Sequence, residues 1–300
     1  MENSHLFCIA DFYIRITFSG TTTNSMALLP AFGAFAADSC DNSGLLFSLT
    51  VDDTLKPRRD GSLIRKFDTG NGDTIVYLLP DGGYQYIIRD TSGRDCSLLQ
   101  TDRHFTQCQC ALNGTWNMRS FGLNDALMLV FAFAASRHGA LLIHASCIKN
   151  GEWAYPFTAQ SGTGKSTHTG LWMNHIPNSE LLNDDNPVIR ITDDGNAFAY
   201  GSPWSGKTPC YRNIKARLGA ITKIERAPEN SIERMKGVSA FAMLLPACSS
   251  MKWDSHIYGN ICDTVTRLAE TVPAYTLHCL PDKEAALLCH STIARDEHTS

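Results

Sequence analysis

The chain has 300 residues, of which 43% are hydrophobic and 19% are charged, and its formal net charge is −4 at pH 7. This length can hold two domains, and the composition is that of an ordinary globular protein. The slightly negative net charge argues against a protein that binds nucleic acid or an anionic membrane surface without a partner.

The sequence predicts a cytoplasmic protein. Its N-terminus lacks the basic start and the continuous apolar run of a secretory signal. The 11 cysteines are therefore expected to be reduced thiols. Cys108 and Cys110 would share one face of a strand, which is more typical of a core than of a metal site. The most apolar run, residues 126–135, is too short to span a bilayer and predicts a buried helix.

Residues 1–120 are predicted to form an antiparallel, β-rich N-terminal domain. The strand patterns lie at 12–18, 45–51, 63–67, 74–79, 84–89, 97–100 and 105–112. Between two of them, the segment Asp81-Gly82-Gly83 is typical of a hairpin turn. This half shows no catalytic constellation, and its basic residues are expected to form a solvated face: Arg58, Arg59, Arg65 and Lys66.

Residues 121–300 alternate strand and helix patterns, which predicts a second domain with an α/β core. A helix over 126–136, capped by Asn124 or Asp125, is expected to link the two domains. Strands are predicted at 140–146, 152–158, 181–185, 188–192, 197–200, 218–224 and 274–279. Helices are predicted at 167–176, 239–245 and 257–268, and a last one is capped by Asp282 and runs through Leu288.

The second domain is organised around the segment Ala159-Gln160-Ser161-Gly162-Thr163-Gly164-Lys165-Ser166, which has the pattern of a phosphate-binding loop, with Ala159 where a glycine is usual. Glycines in such a loop permit the curvature that turns backbone N–H groups onto phosphate oxygens. Lys165 would reach the β/γ-phosphates, and Ser166 would hold Mg²⁺. The helix that follows would add its dipole to the anion site. The alternative is a glycine-rich turn that happens to end in Lys-Ser. The predicted nucleotide-binding residues are Gln160, Ser161, Gly162, Thr163, Gly164, Lys165, Ser166 and Thr167.

Two adjacent carboxylates, Asp184 and Asp185, close the strand that comes after the loop helix. Two such groups can divide the work of phosphoryl transfer, one holding Mg²⁺ and the other accepting the proton of the acceptor hydroxyl. The alternative is an Asx turn with solvated carboxylates. Which aspartate takes which role stays open.

Three further residues are candidates for the same site. His144 lies at the end of the predicted strand that neighbours the loop strand. It could contact a metal or a phosphate there, or serve only a structural role. Lys207 lies in Gly201-Ser202-Pro203-Trp204-Ser205-Gly206-Lys207-Thr208, a Walker A-like pattern with no helix after it, which indicates a second anion-contacting loop. Lys207 and Arg212 would bind the acceptor or the transferring phosphate, and Lys207 would also stabilise the charge that develops there. The alternative is a solvated loop.

These segments occur in the order Ile143-His144-Ala145-Ser146, loop, Asn183-Asp184-Asp185 and Gly201–Thr208. The ordered set resembles the catalytic core shared by HPr serine kinases and ATP-dependent phosphoenolpyruvate carboxykinases, over roughly residues 125–300. The resemblance implies a P-loop kinase core that binds ATP and Mg²⁺. By this resemblance, Lys165 and Ser166 would bind phosphate and Mg²⁺. Asp184 and Asp185 would serve as metal ligand and general base, and His144 would contact metal or phosphate.

The chain also resembles bacterial HPr kinase-related proteins, which join a β-rich N-terminal domain to such a core. It is much shorter than a carboxykinase, so decarboxylation is not expected. The prediction is an ATP- and Mg²⁺-dependent kinase acting on a hydroxyl of a protein, a peptide or a metabolite. The open alternatives are a regulatory module that binds nucleotide without transfer and, last, a carboxykinase-like lyase. The resemblance is also compatible with assembly into a homo-oligomer.

Overall fold

The computed structural model describes residues 3–20, 23–40, 44–68, 72–206 and 208–295. Over these ranges the chain is a mixed α/β protein with two β-sheets and few helices. It divides into two units, Met1–Ala135 and Ser136–Ser300. The division falls at the C-terminal end of the long apolar helix, and the boundary expected from the sequence is at residue 120.

The N-terminal unit is built on one sheet. Its strands are β1 Asn3–Ile9, β2 Phe12–Phe18, β3 Leu45–Val51, β4 Ser62–Asp68, β5 Asp73–Leu78, β6 Tyr84–Arg89, β7 Asp95–Thr101 and β8 Gln107–Leu112. They lie in the order β1-β2-β3-β8-β7-β6-β5-β4. β3 pairs in parallel with both β2 and β8, so the prediction of a wholly antiparallel domain is wrong. Alternating side chains reveal a strand but not the direction of its neighbours, and parallel neighbours need the long crossovers seen here.

The apolar run belongs to helix α1, Trp116–Ser136, which begins well before the predicted cap at Asn124 or Asp125. Its early turns are held by Arg119, which donates to the Asn24 side chain at 2.8 Å and to the Leu112 carbonyl at 3.0 Å. Both contacts lie outside the helix, so periodicity alone could not locate its start. α1 is long and apolar enough to cross a membrane by length and composition, but 61% of its most apolar window is buried, as in a core helix.

The C-terminal unit is built on a second sheet. Its strands are β9 Ala140–Leu142, β10 Ala145–Asn150, β11 Trp153–Thr158, β12 Ser179–Asp185, β13 Val188–Ile191, β14 Ala197–Tyr200, β15 Lys215–Leu218, β16 Ile221–Arg226, β17 Ser231–Met235 and β18 Ala274–Cys279. The strand order is β17-β18-β16-β11-β15-β14-β13-β9, and β10 pairs with β11 and β12. The helices are α2 Lys165–His175, α3 Val238–Leu244, α4 Ser255–Thr271 and α5 Lys283–Ile293.

Two predicted strands are each divided in the structure. The run 140–146 forms β9 and β10, which separate at Ile143 and His144 because the chain changes partners there. β9 pairs with β13, whereas β10 pairs with β11 and β12. The run 218–224 likewise covers the end of β15 and most of β16. These breaks follow from partners that are distant in sequence.

Pro156 lies within the central strand β11, although proline cannot donate to a ladder. On one side of β11, Trp153 and Ala154 pair with β15, and Phe157 and Thr158 pair with β16. Pro156 falls in the gap between these two paired segments. The strand therefore tolerates proline at the point where its partner changes.

The core beneath the loop strand centres on Trp172 of α2, which is fully buried. Its indole lies 5.4 Å from the ring of Phe157 on β11, measured between centroids. Its Nε1 donates to Nε2 of His168 at 3.1 Å. Burial lowers the pKa of His168 to about 4, so this histidine is a neutral core residue at physiological pH.

Replacing Trp172 by alanine is expected to lower the free energy of unfolding by about 3–5 kcal/mol, because a large buried side chain leaves a cavity. Chemical denaturation followed by circular dichroism would measure the loss. The matched control is Met173→Ala, since Met173 is the next residue and is 42% exposed. Its change should stay within about 0.5 kcal/mol. Equal losses in the two variants would contradict the core position of Trp172.

Candidate functional site

The predicted phosphate loop connects the end of β11 to the first residue of α2. Gly162 has a φ of 77° and Gly164 a φ of 131°, which are values that favour glycine. Between them, the N–H of Thr163 donates to the carbonyl of Gln160 at 3.1 Å and closes a tight turn. The loop thus has the strand–turn–helix context that the motif requires.

The N-terminus of α2 has no side-chain cap, because its N-cap residue is Gly164. By contrast, Asp254 and Asp282 accept hydrogen bonds from the first-turn N–H groups of α4 and α5. Uncapped N–H groups and the helix dipole together favour an anion at this end of α2. Several residues around it are exposed to solvent, so a ligand could approach: Gln160, Ser161, Gly162, Ser166 and Thr167.

Asp184 and Asp185 reach the loop because β10 lies between β11 and β12. Ala145 of β10 pairs with Thr158 on one side and with Asp185 on the other. The end of the loop strand and the carboxylate pair are therefore separated by a single strand. The hydroxyl of Ser166 donates to Oδ1 of Asp184 at 2.9 Å, and Asp184 is only 4% exposed.

His144 joins Lys165 to Asp185. The Lys165 Nζ lies 2.7 Å from Nε2 of His144, and Nδ1 of His144 lies 3.0 Å from Oδ1 of Asp185. A charged ammonium can only donate, so Nε2 is the acceptor and Nδ1 carries the proton given to Asp185. This assignment makes His144 a neutral connector. Both of its ring nitrogens are engaged in this arrangement, and the metal or phosphate contact of His144 stays a prediction.

The pKa of Lys165 is lowered, chiefly because burial disfavours the ammonium, while the charges of Asp185 and Asp184 act in the opposite direction. The ammonium is thus partly desolvated, and its hydrogen-bond acceptors among the described residues are His144 and the Ala159 carbonyl at 3.4 Å. A phosphate oxygen would be a stronger partner, because a hydrogen bond between two ions is stronger than one with a single ion.

The segment 201–206 lies against the carboxylate pair. The N–H of Gly206 donates to the Asp184 carbonyl at 2.5 Å, and Ser205 forms a β-bridge with Asp185. Asn183 also donates to the Ser202 hydroxyl at 3.2 Å. A Cβ at Gly206 would lie 2.7 Å from the Asp184 carbonyl oxygen, so glycine permits this approach. Lys207, predicted to be a catalytic and acceptor-binding residue, lies outside the described residues.

The structure does not bring Arg212 to this site. Its guanidinium donates to the Leu181 carbonyl at 2.8 Å and to Oε2 of Glu180 at 2.8 Å. Both partners lie toward the beginning of β12, whereas Asp184 and Asp185 lie at its end. Four residues of strand span roughly 13 Å. Arg212 thus stabilises the far end of the strand, and we do not retain it as a substrate-binding residue.

The close cysteine pair belongs to the other unit of the chain. Cys108 and Cys110 are buried in the sheet of the N-terminal unit, and burial raises the pKa of both thiols. Among the described residues, no group of three or more His, Cys, Asp or Glu side chains is arranged to hold a metal ion.

Sequence reasoning missed one residue at the loop, Arg226. Its Nη2 donates to the Gly162 carbonyl at 2.6 Å, and its Nε donates to the Thr163 carbonyl at 3.0 Å. Arg226 ends β16, which runs parallel to β11. No local pattern marks it, because the contact depends on strand pairing that is far apart in sequence.

The donor set fits magnesium only as a site shared with phosphates. Ser166 and Asp184 offer a hydroxyl and a carboxylate, both hard oxygen ligands of the kind that Mg²⁺ prefers. In such sites Mg²⁺ takes one or two carboxylates from the protein and its other ligands from water and substrate phosphates. Two adjacent oxygen donors beside the predicted phosphate loop meet that requirement.

No protein-family model and no curated protein matches the sequence. Among solved structures, the chain is similar to the HPr(Ser) kinase/phosphatase from Coxiella burnetii. The identity is 11%, the match covers 50% of this chain and 91% of that chain, and the TM-score is 0.29. These values do not assign the chain to a family.

Proposed function

We propose that the protein is an ATP- and Mg²⁺-dependent kinase that transfers the γ-phosphate to a hydroxyl group of a protein, a peptide or a small molecule. One observation carries the proposal. The first turn of α2 presents uncapped N–H groups, and its Ser166 hydroxyl is bonded to the buried Asp184. A phosphate cradle and a carboxylate thus meet within one unit of the chain.

The loop and α2 would bind the triphosphate. The Thr163 N–H is used within the loop, so the backbone N–H groups at 162 and 164–167 would bind phosphate oxygens. Lys165 would exchange its contact with His144 for one with the β/γ-phosphates. Ser166 and Asp184 would hold Mg²⁺ together with those phosphates. When bound, Mg²⁺ neutralises charge on the phosphates and orients them for transfer.

Asp185 is the proposed general base. It is less buried than Asp184, and its carboxylate accepts from His144 and from the Asn186 side chain at 2.8 Å. The acceptor hydroxyl would lose its proton to Asp185 while the hydroxyl oxygen forms a bond to the γ-phosphorus. The bond from the γ-phosphorus to the bridging oxygen breaks, and ADP leaves with that oxygen.

Incubation of the purified chain with γ-phosphate-labelled ATP, Mg²⁺ and a host cell extract would test the proposal. Separating the products by size would show whether the labelled acceptor is a macromolecule or a metabolite. Parallel reactions should lack the protein or contain a chelator in place of Mg²⁺. We expect at least one labelled acceptor that is absent both from the reaction without the protein and from the reaction with chelator. Bound ATP with no transferred label would instead favour a module that senses nucleotide.

A further inference from the structure

Arg226 contacts the loop from a neighbouring strand and not from the loop itself. Its two hydrogen bonds end on consecutive carbonyls, those of Gly162 and Thr163. The planar guanidinium offers donors in a fixed fork, so one side chain can hold two peptide groups at once. Arg226 is therefore a two-point brace on the part of the loop that turns most sharply.

The brace sets the direction of the loop's N–H groups. In a planar trans peptide, the carbonyl and the following N–H point in opposite directions. With the Gly162 and Thr163 carbonyls turned toward Arg226, the N–H groups of Thr163 and Gly164 face away from it. The Thr163 N–H closes the turn with Gln160, which leaves the Gly164 N–H beside the start of α2.

An ion pair at the surface does not explain the position of Arg226. Among the ion pairs of the described residues, none includes Arg226. Its acidic neighbour Glu225 binds Lys223 at 2.6 Å. Arg226 is an exposed side chain whose observed partners are the two loop carbonyls.

We propose that Arg226 is a positioning residue, which holds the loop in its phosphate-binding shape before a ligand arrives and so raises the affinity for a nucleoside triphosphate. The second half of this inference rests on the proposed function, whereas the first half concerns the protein alone. A loop that is already ordered costs less conformational entropy on binding, and that saving appears as affinity.

The first test needs no nucleotide. Hydrogen exchange of the full chain, followed by mass spectrometry, would compare wild type with Arg226→Ala over peptides that cover 157–168. We expect several-fold faster exchange there in the variant, with peptides of α4 unchanged. Arg234→Ala is the matched control, because Arg234 is an exposed arginine of β17 in the same sheet. Unchanged exchange over 157–168 overturns the inference, whether or not the protein binds ATP.

The second test measures the affinity for ATP with Mg²⁺ by calorimetry. Arg226→Ala should weaken binding on the order of tenfold, since the unbraced loop must then be ordered on binding. Arg226→Lys keeps the charge but cannot brace two carbonyls, so it should remain well below wild-type affinity. Full affinity in Arg226→Lys would assign the effect to charge and overturn the positioning role.

The exchange test and the calorimetric test together distinguish a failure of the proposed function from a failure of this inference. If the wild-type protein does not bind ATP, the proposed function and the claim about affinity are both overturned. The exchange result still decides whether Arg226 orders the loop. Wild type that binds ATP as tightly as Arg226→Ala would overturn the inference alone. Melting temperatures should agree among all four proteins. A large drop in Arg226→Ala would assign the residue a general structural role instead.

Discussion

Lys165→Ala is expected to abolish phosphoryl transfer while the protein stays folded. The ammonium is partly desolvated by burial, and Lys165 is the first residue of the helix where phosphates would bind. Removing one such charged donor to a developing transition-state charge costs on the order of 10²–10³ in rate. The lysine at this position also contributes to ground-state binding, so the affinity for ATP should fall as well. Label transfer and calorimetry would measure the two losses separately.

The matched control for Lys165→Ala is Lys149→Ala. Lys149 lies on β10 in the same unit, and its Nζ pairs with Glu180 at 3.2 Å near the opposite end of β12. That pair is partly exposed and contributes little to stability. Lys149→Ala should keep both transfer and affinity. Retained transfer in Lys165→Ala would contradict the assignment of the loop.

The substitutions Asp184→Asn and Asp185→Asn are expected to differ in effect. In Asp185→Asn the amide cannot accept a proton, so transfer should fall by about 10²–10⁴-fold with little change in ATP affinity. In Asp184→Asn the carboxylate bonded to Ser166, which is the proposed negative ligand for Mg²⁺, is lost. Its rate should also fall, and it should require a higher Mg²⁺ concentration than wild type or Asp185→Asn.

Titration of Mg²⁺ at saturating ATP would separate the two aspartates. Asp194→Asn is the control, because Asp194 is an exposed carboxylate in the turn between β13 and β14. Its rate and its Mg²⁺ dependence should match wild type. Equal Mg²⁺ requirements in Asp184→Asn and Asp185→Asn would refute the division of roles between them. Unchanged rates in both variants would exclude the proposed chemistry at this site.

Short-range signals in the sequence were sufficient for several elements. The alternation over 12–18 and 84–89 predicted β2 and β6 with the same bounds as the structure. Asp282 caps α5 by accepting from the Ala285 N–H at 2.9 Å, as its place before an apolar run indicated. In each case the interacting residues are a few positions apart, so the sequence itself contains the relevant geometry.

Long-range contacts account for what the sequence did not predict. The direction of β3, the break at His144 and the early start of α1 depend on partners from other segments. Long-range pairing also explains why Arg226 reaches the loop and Arg212 does not. Both are arginines that follow the loop in sequence, and only pairing of β11 with β16 brings the second one to it. The site assignments of Lys165, Asp184 and Asp185 remain predictions that the experiments above would test.

The pairing of β11 also has a consequence for the order in which the site forms. On one side of β11 lie β10 and then β12, which are close to it in the chain, whereas β16 joins from a much later segment. Contacts between distant segments form more slowly than local ones. During synthesis, a nascent chain would already contain the loop, Lys165 and both aspartates before Arg226 leaves the ribosome. We therefore expect nucleotide binding at full affinity to arise late, after β16 has docked beside the loop strand.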